Sequence, residues 1–125
     1  MRVLVDGMNV IGSRPDGWWR DRRGAMRRLV GALAANSAAT GDEVTVVLDS
    51  RPFEIDEPAG VAVRFAPGSR NAGDDEIVRI VEADRSPETI TVVTSDRELA
   101  ARVRALGASV TPAGELRTRL EHAGL

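Results

Sequence analysis

The side chains with chemical potential are Asp6, Asn9, Asp49, Asp74, Asp75 and Asp96, and their placement repeats. The apolar run Val3-Leu-Val5 ends in Asp6, Val44-Thr-Val-Val-Leu48 ends in Asp49, and Thr89-Ile-Thr-Val-Val-Thr94 ends in Ser95-Asp96. Another acidic point, Asp74-Asp75-Glu76, opens a helical pattern carried by Ile77, Ile80 and Val81. Carboxylates gathered at one place cannot all stay ionised without a cation, because each like charge raises its neighbours' pKa. The chain has no cysteine, and His122 is its only histidine, near the terminus with no chemical role expected. An all-oxygen ligand set of this kind favours a hard ion, Mg²⁺ or Mn²⁺, over zinc. Such an ion polarises a phosphoryl oxygen and lowers the pKa of a bound water, which is the chemistry of phosphodiester hydrolysis. The purely structural reading of the same residues is that Asp6 and Asn9 cap a turn and that the acids at 74–76 complement a helix dipole. Adjacent Asp74 and Asp75 repel each other, and a simple cap gains little from the second.

The elements that must deliver these groups follow from hydrophobic periodicity. Strand-length apolar runs alternate with helical stripes, Met26, Leu29, Val30 and Leu33 in a helix over about 21–39, Leu99, Val103 and Leu106 in another, and Leu116 and Leu120 in a last one started by Pro112. Gly7 is read as a sharp turn after the first strand, Ser95 with Glu98 as a capping box, Val61, Val63 and Phe65 as a strand nearer the sheet edge with Arg64 outward, and Ala108–Thr111 as a last strand. This alternation predicts an α/β fold, a three-layer α/β/α sandwich with a mostly parallel sheet, because parallel strands need crossover connections. The carboxyl ends of parallel strands share one side, so Asp6, Asp49, Asp74, Asp75 and Asp96 are expected on a common rim, where such sheets bind ligands.

With 125 residues, 42% hydrophobic and 29% charged, the chain is expected to form one domain over residues 1–125. All 17 basic residues are arginine, and the net charge of −2 argues against a uniformly basic nucleic-acid coat. The first residues run directly into a strand with no leader and no long apolar segment follows, so a cytoplasmic protein without a membrane partner is expected. Trp18-Trp19 precede the most basic stretch, which includes Arg22, Arg23 and Arg27. The tryptophans are expected to dock on the core. The arginines are either a solvated helix face or a patch with aromatic neighbours that meets a phosphate backbone.

Taken together, Asp6-Gly-Met-Asn9-Val-Ile-Gly12, Ala72-Gly-Asp-Asp-Glu-Ile77 and Val93-Thr-Ser-Asp96-Arg97 resemble the YacP-like branch of the NYN domains, within the PIN-like nuclease superfamily, from Val3 to about Val110. The resemblance implies a metal-dependent ribonuclease, an endoribonuclease in the first instance, with Mg²⁺ or Mn²⁺ as cofactor and RNA as partner. By position, Asp6 and Asn9 match the first motif, Asp74 and Asp75 the second and Asp96 the third, while Asp49 fits an additional acidic position. Gly73 departs from the alanine usual before the acidic pair, and with no lysine the phosphate contacts fall to arginines such as Arg14, Arg70 and Arg97.

Two other classes compete. A receiver-like signalling domain also gathers aspartates around Mg²⁺ but needs a lysine, which this chain lacks. A non-catalytic RNA-binding or partner-binding module of the same fold is the second, since fold does not fix function. Oligomeric state, and whether a ribosome presents the RNA, are left open by the residues alone.

Overall fold

The computed structural model describes residues 1–69 and 71–123. In chain order its elements are β1 (Arg2–Asp6), α1 (Gly7–Ile11), α2 (Arg22–Thr40), β2 (Glu43–Leu48), β3 (Val61–Phe65), α3 (Ala72–Ala83), β4 (Ile90–Val93), α4 (Arg97–Ala105), β5 (Ser109–Thr111) and α5 (Ala113–His122), with single 3₁₀ turns at Trp18–Arg20 and Pro87–Thr89. The strands form one five-stranded sheet in the order β3-β2-β1-β4-β5, and every pairing is parallel. β1 is therefore the central strand, buried on both faces, which is why its residues read as an unbroken apolar run. Strand order reverses across β1 and β4, the position at which open α/β sheets leave a crevice beyond their carboxyl ends.

Two cores cover the two faces. On one, Val5 of β1 packs with Val10 and Ile11 of α1, Met26, Leu29, Val30 and Leu33 of α2, and Leu116 and Leu120 of α5. On the other, Leu4 and Val47 meet Ile77 and Val81 of α3 and Leu99 and Val103 of α4. The three-layer arrangement and the edge position of β3, with Arg64 exposed, are as the periodicity predicts. At the amino end of the sheet the Arg2 guanidinium donates to both carboxylate oxygens of Asp84, at 2.6 and 2.9 Å, tying the end of α3 to the start of β1. That pairing holds the Asp84 carboxyl down at about 2. No helix among the described residues is long and apolar enough to cross a membrane.

Local corrections to the sequence reading each have a physical reason. Gly7 does not turn the chain away; it begins the helix α1 directly after β1. It is glycine because of crowding: a Cβ there would lie 2.7 Å from Leu48 Cδ2 and 2.8 Å from the Val47 carbonyl oxygen of the neighbouring strand. Asp74 and Asp75 do lie, as expected, in the first turn of α3, which starts at Ala72. The N-cap of α4 is Asp96, not Ser95: Asp96 Oδ1 accepts from the amides of Glu98 (2.9 Å) and Leu99 (3.1 Å). Ser95 instead accepts from the Ala113 amide at 2.9 Å, at the start of α5.

Gly7→Ala is expected to lower stability by about 1–3 kcal/mol, the usual cost of overpacking, because a strand carbonyl cannot move aside as a side-chain tip can. Urea denaturation of parent and variant checks this, and an unchanged midpoint would show that β1 and β2 separate more easily than the packing implies.

Candidate active site

Asp6 is the last residue of β1 and only 6% exposed. A carboxylate so buried must find donors or a cation. One donor is present: Thr94, 2% exposed just after β4, donates its hydroxyl to Asp6 Oδ2 at 2.9 Å. The same Thr94 oxygen accepts from the Asp96 amide at 3.1 Å, so one hydroxyl links the ends of the two strands across the strand-order reversal. Asn9, in α1, accepts from the Ser95 amide at 2.8 Å and secures the same junction. Thr94 and Ser95 are therefore the residues of the rim that sequence reasoning passed over. A polar residue closing an otherwise apolar strand run was the available signal.

Burial pushes the Asp6 carboxyl up to about 7; the Thr94 hydrogen bond opposes this, while the charges of Asp74, Asp49 and Asp96 add to it. Asp74 is raised by burial first and then by Asp96 and Asp49, with Arg102 pulling the other way. Asp49, after β2, is also raised by burial, against the nearby Gly73 amide and the Arg22 charge. The Gly73 amide makes no hydrogen bond that satisfies Asp49 Oδ1, which is buried without a partner among the described residues. Gly73 is where the chain gives that carboxylate room, since a Cβ would lie 2.0 Å from Asp49 Oδ1. The absent alanine thus has a steric reason in this chain.

Asp6, Asp49, Asp74 and Asp96 consequently act on one another electrostatically. Asp75 does not turn inward: its carboxylate is 64% exposed and pairs with Arg102 at 3.2 Å. Among the described residues no three acidic groups converge closely enough to hold an ion as they stand, so an ion would have to draw them together. The rim is open. A surface depression of about 350 Å³ lies elsewhere, between Arg27 and Val30 of α2 and the segment 54–58, and contains none of these acids.

The chain belongs to the YacP-like NYN domain family. The family model matches residues 3–124. Two crystal structures of Rae1 (YacP) from Bacillus subtilis share the fold. One, of a point mutant, has a TM-score of 0.79 at 26% identity, covering 98% of this chain and 75% of that one. The other has a TM-score of 0.75 at 27% identity, covering 98% and 74%. No curated protein matches the chain. Family membership makes this a nuclease-type fold.

Of the arginines, Arg22 is close enough to Asp49 to pull it down against burial, and its guanidinium sits 5.5 Å from the centre of the Trp18 ring. Arg23 and Arg27 both stack on Phe53, at 5.0 and 5.2 Å, and Arg27 also donates to the Glu54 carbonyl at 2.9 Å. Arg97 is exposed beside Asp96 at the start of α4. Arg14 is occupied on α5, donating to Thr118 (3.1 Å) and Glu121 (3.2 Å). Arg70 lies outside the described residues. Arg102, which sequence reasoning missed, is the cation of the α3–α4 side. The tryptophans part company: Trp18 packs against the core, but Trp19 is 51% exposed, correcting the expectation that both dock.

A carboxyl raised from 3.8 to about 7 makes the folded state hold a proton that the unfolded state releases. Its stabilising effect is complete below about pH 4 and is lost as pH rises through 7. In EDTA, Asp6→Asn should therefore gain on the parent by a few kcal/mol between pH 4 and 8, since a pKa unit is worth about 1.4 kcal/mol. Thermal melts of both proteins across that range read the difference, in which the oppositely shifted Asp16 and Asp84 cancel. A constant gap between the two would mean that Asp6 ionises normally.

Proposed function

We propose that the protein is a metal-dependent ribonuclease that cuts RNA at the rim carrying Asp6, Asn9, Asp49, Asp74, Asp75 and Asp96. The observation that carries this reading is a buried Asp6 carboxyl pushed up to about 7 and facing further acids, at the carboxyl end of the central strand. Groups with strongly shifted ionisation gather where chemistry is done. An unpartnered Asp49 oxygen in an all-oxygen donor set fits a hard cation.

Asp6, Asp49, Asp74 and Asp96 would hold Mg²⁺ or Mn²⁺, with Asp75 on the outer side. When bound, the ion neutralises the acids, polarises the phosphoryl oxygen and makes the attacking water more acidic. The chain's own residues do the rest. Thr94 fixes the orientation of Asp6 through its hydrogen bond, and Asn9 holds the Ser95 amide so that Asp96 stays at the same rim. Asp6, partly protonated near neutrality, would release its proton to solvent when taking part in a cation site. Arg22, Arg23, Arg27 and Arg97 offset the acids for a polyanion, and endonucleolytic cutting is the mode that the family resemblance implies. Arg14, already engaged by α5, is the weakest of the phosphate-binding candidates.

End-labelled RNA incubated with Mn²⁺, Mg²⁺ or EDTA tests the proposal through Asp96→Asn. Asparagine caps a helix about as well as aspartate, so α4 keeps its start. Losing one charge from the cluster relieves repulsion, so the metal-free variant should melt at or above the parent. Cleavage in Mn²⁺ should fall by orders of magnitude while RNA binding persists. Cleavage at the parental rate, or a much lower melt in EDTA, would assign Asp96 to the scaffold. A parent that binds RNA but leaves it intact in Mn²⁺ would favour the non-catalytic module.

A further inference from the structure

Trp19 has no place in the reading above, and its setting is unusual. An isolated exposed apolar side chain is ordinary and carries nothing by itself. What distinguishes Trp19 is how firmly it is held and what surrounds it. Gly17, with φ of 87°, turns the chain into the 3₁₀ turn Trp18–Arg20. Asp16 accepts from the Trp18 amide at 3.1 Å with one carboxylate oxygen and from Arg117 of α5 at 2.5 Å with the other. Trp18 is anchored in the core and meets Trp19 edge to face, with ring centres 5.8 Å apart at 85°. Asp21 then caps α2 by accepting from the Gly24 amide at 3.0 Å. The indole of Trp19 is thus presented from a braced turn with half its surface open to solvent.

Arg20, Arg22, Arg23, Arg27 and Arg28 surround it in sequence, and all are exposed. The one acid among them, Asp21, is engaged in capping. Among the described residues the other exposed large hydrophobic side chain is Met1, so Trp19 is not part of a run of exposed large apolar side chains, and the exposed residues that follow it in sequence are mostly arginines. The stripe is continuous with the acidic rim, because Arg22 touches the Trp18 ring on one side and acts on Asp49 on the other. A rigid aromatic face beside positive charge is what binds single-stranded nucleic acid: arginines take the phosphates and the ring takes a base.

We propose that Trp19 is a stacking platform for an unpaired base of RNA, held next to the arginines of α2 that grip the backbone leading to the acids. This rests on the ribonuclease reading and adds a substrate class to it: the RNA must be single-stranded where it passes α2, since a duplex keeps its base faces stacked within itself.

The full chain, kept in EDTA to prevent cleavage, is titrated with labelled oligouridylate and with an RNA duplex of equal length, at several salt concentrations. Trp19→Ala should weaken oligouridylate binding by about 5- to 150-fold, the range for losing one base–aromatic stack. Trp19→Phe, which keeps a ring, should recover most of it, and Trp19→Leu, which keeps the apolar packing without a π-face, should behave like alanine. The dependence on salt should be the same for all, because stacking releases no counterions. Duplex binding should be unaffected. Equal affinity of Trp19→Leu and parent for the single strand, or equal losses on single strand and duplex, would overturn the platform while leaving the ribonuclease reading intact. A parent that binds neither RNA would overturn both.

Discussion

The structure depends on a carboxylate buried where a carboxylate is costly. Asp6 ends the central strand of a sheet covered on both faces, so it lies in low dielectric by virtue of topology and not of any local accident. The hydrogen bond from Thr94 does not offset that burial, and the carboxyl rises to about 7. Three further acids arrive at the same rim because parallel strands share a carboxyl edge, and each worsens the position of the others. A fold selected for stability alone would place an amide or a hydroxyl at position 6. Retaining the acid leaves repulsion that a divalent cation can relieve.

Around this constraint the remaining residues divide the work. Thr94, Asn9, Ser95 and Asp96 form a hydrogen-bonded seam joining β1, α1, the end of β4, α4 and α5, so the acids are held on elements and not on free loops. Gly7 and Gly73 serve the same end by omission: the first lets α1 start against β2, and the second leaves space for Asp49. Cations are kept off the acids themselves. Arg22 lies at their margin, Arg23 and Arg27 rest on Phe53, and Arg102 holds Asp75 outside the group. The site stays acidic at its centre while its approaches are basic, a distribution suited to drawing in a polyanion.

The fold and the rim were legible in the chain because a doubly covered parallel strand reads as a continuous apolar run, and an acid at its end has few other reasons to be there. What was not legible depended on choices between adjacent residues. Ser95 and Asp96 are both good N-caps; tertiary contacts decide, since Thr94 takes the Asp96 amide and α5 takes the Ser95 hydroxyl. Trp18 and Trp19 are identical in type, yet a short 3₁₀ turn sends one to the core and leaves the other in solvent. Asp74 and Asp75 look equivalent, but successive residues on a helix face different ways, and Arg102 across the α3–α4 contact captures the outer one. The five-residue α1, opened by glycine and lacking a side-chain cap, carries no local signal; packing against α2 and α5 makes it.

With its carboxyl raised to about 7, Asp6 would have to give up a proton for a divalent ion to bind there. Calorimetric titration of Mn²⁺ into the protein at pH 6, repeated in buffers of different ionisation enthalpy, counts the protons released on binding. The account predicts about one proton per bound ion, and none for Asp6→Asn. Binding with no proton release in the parent, or the same release in both proteins, would contradict it.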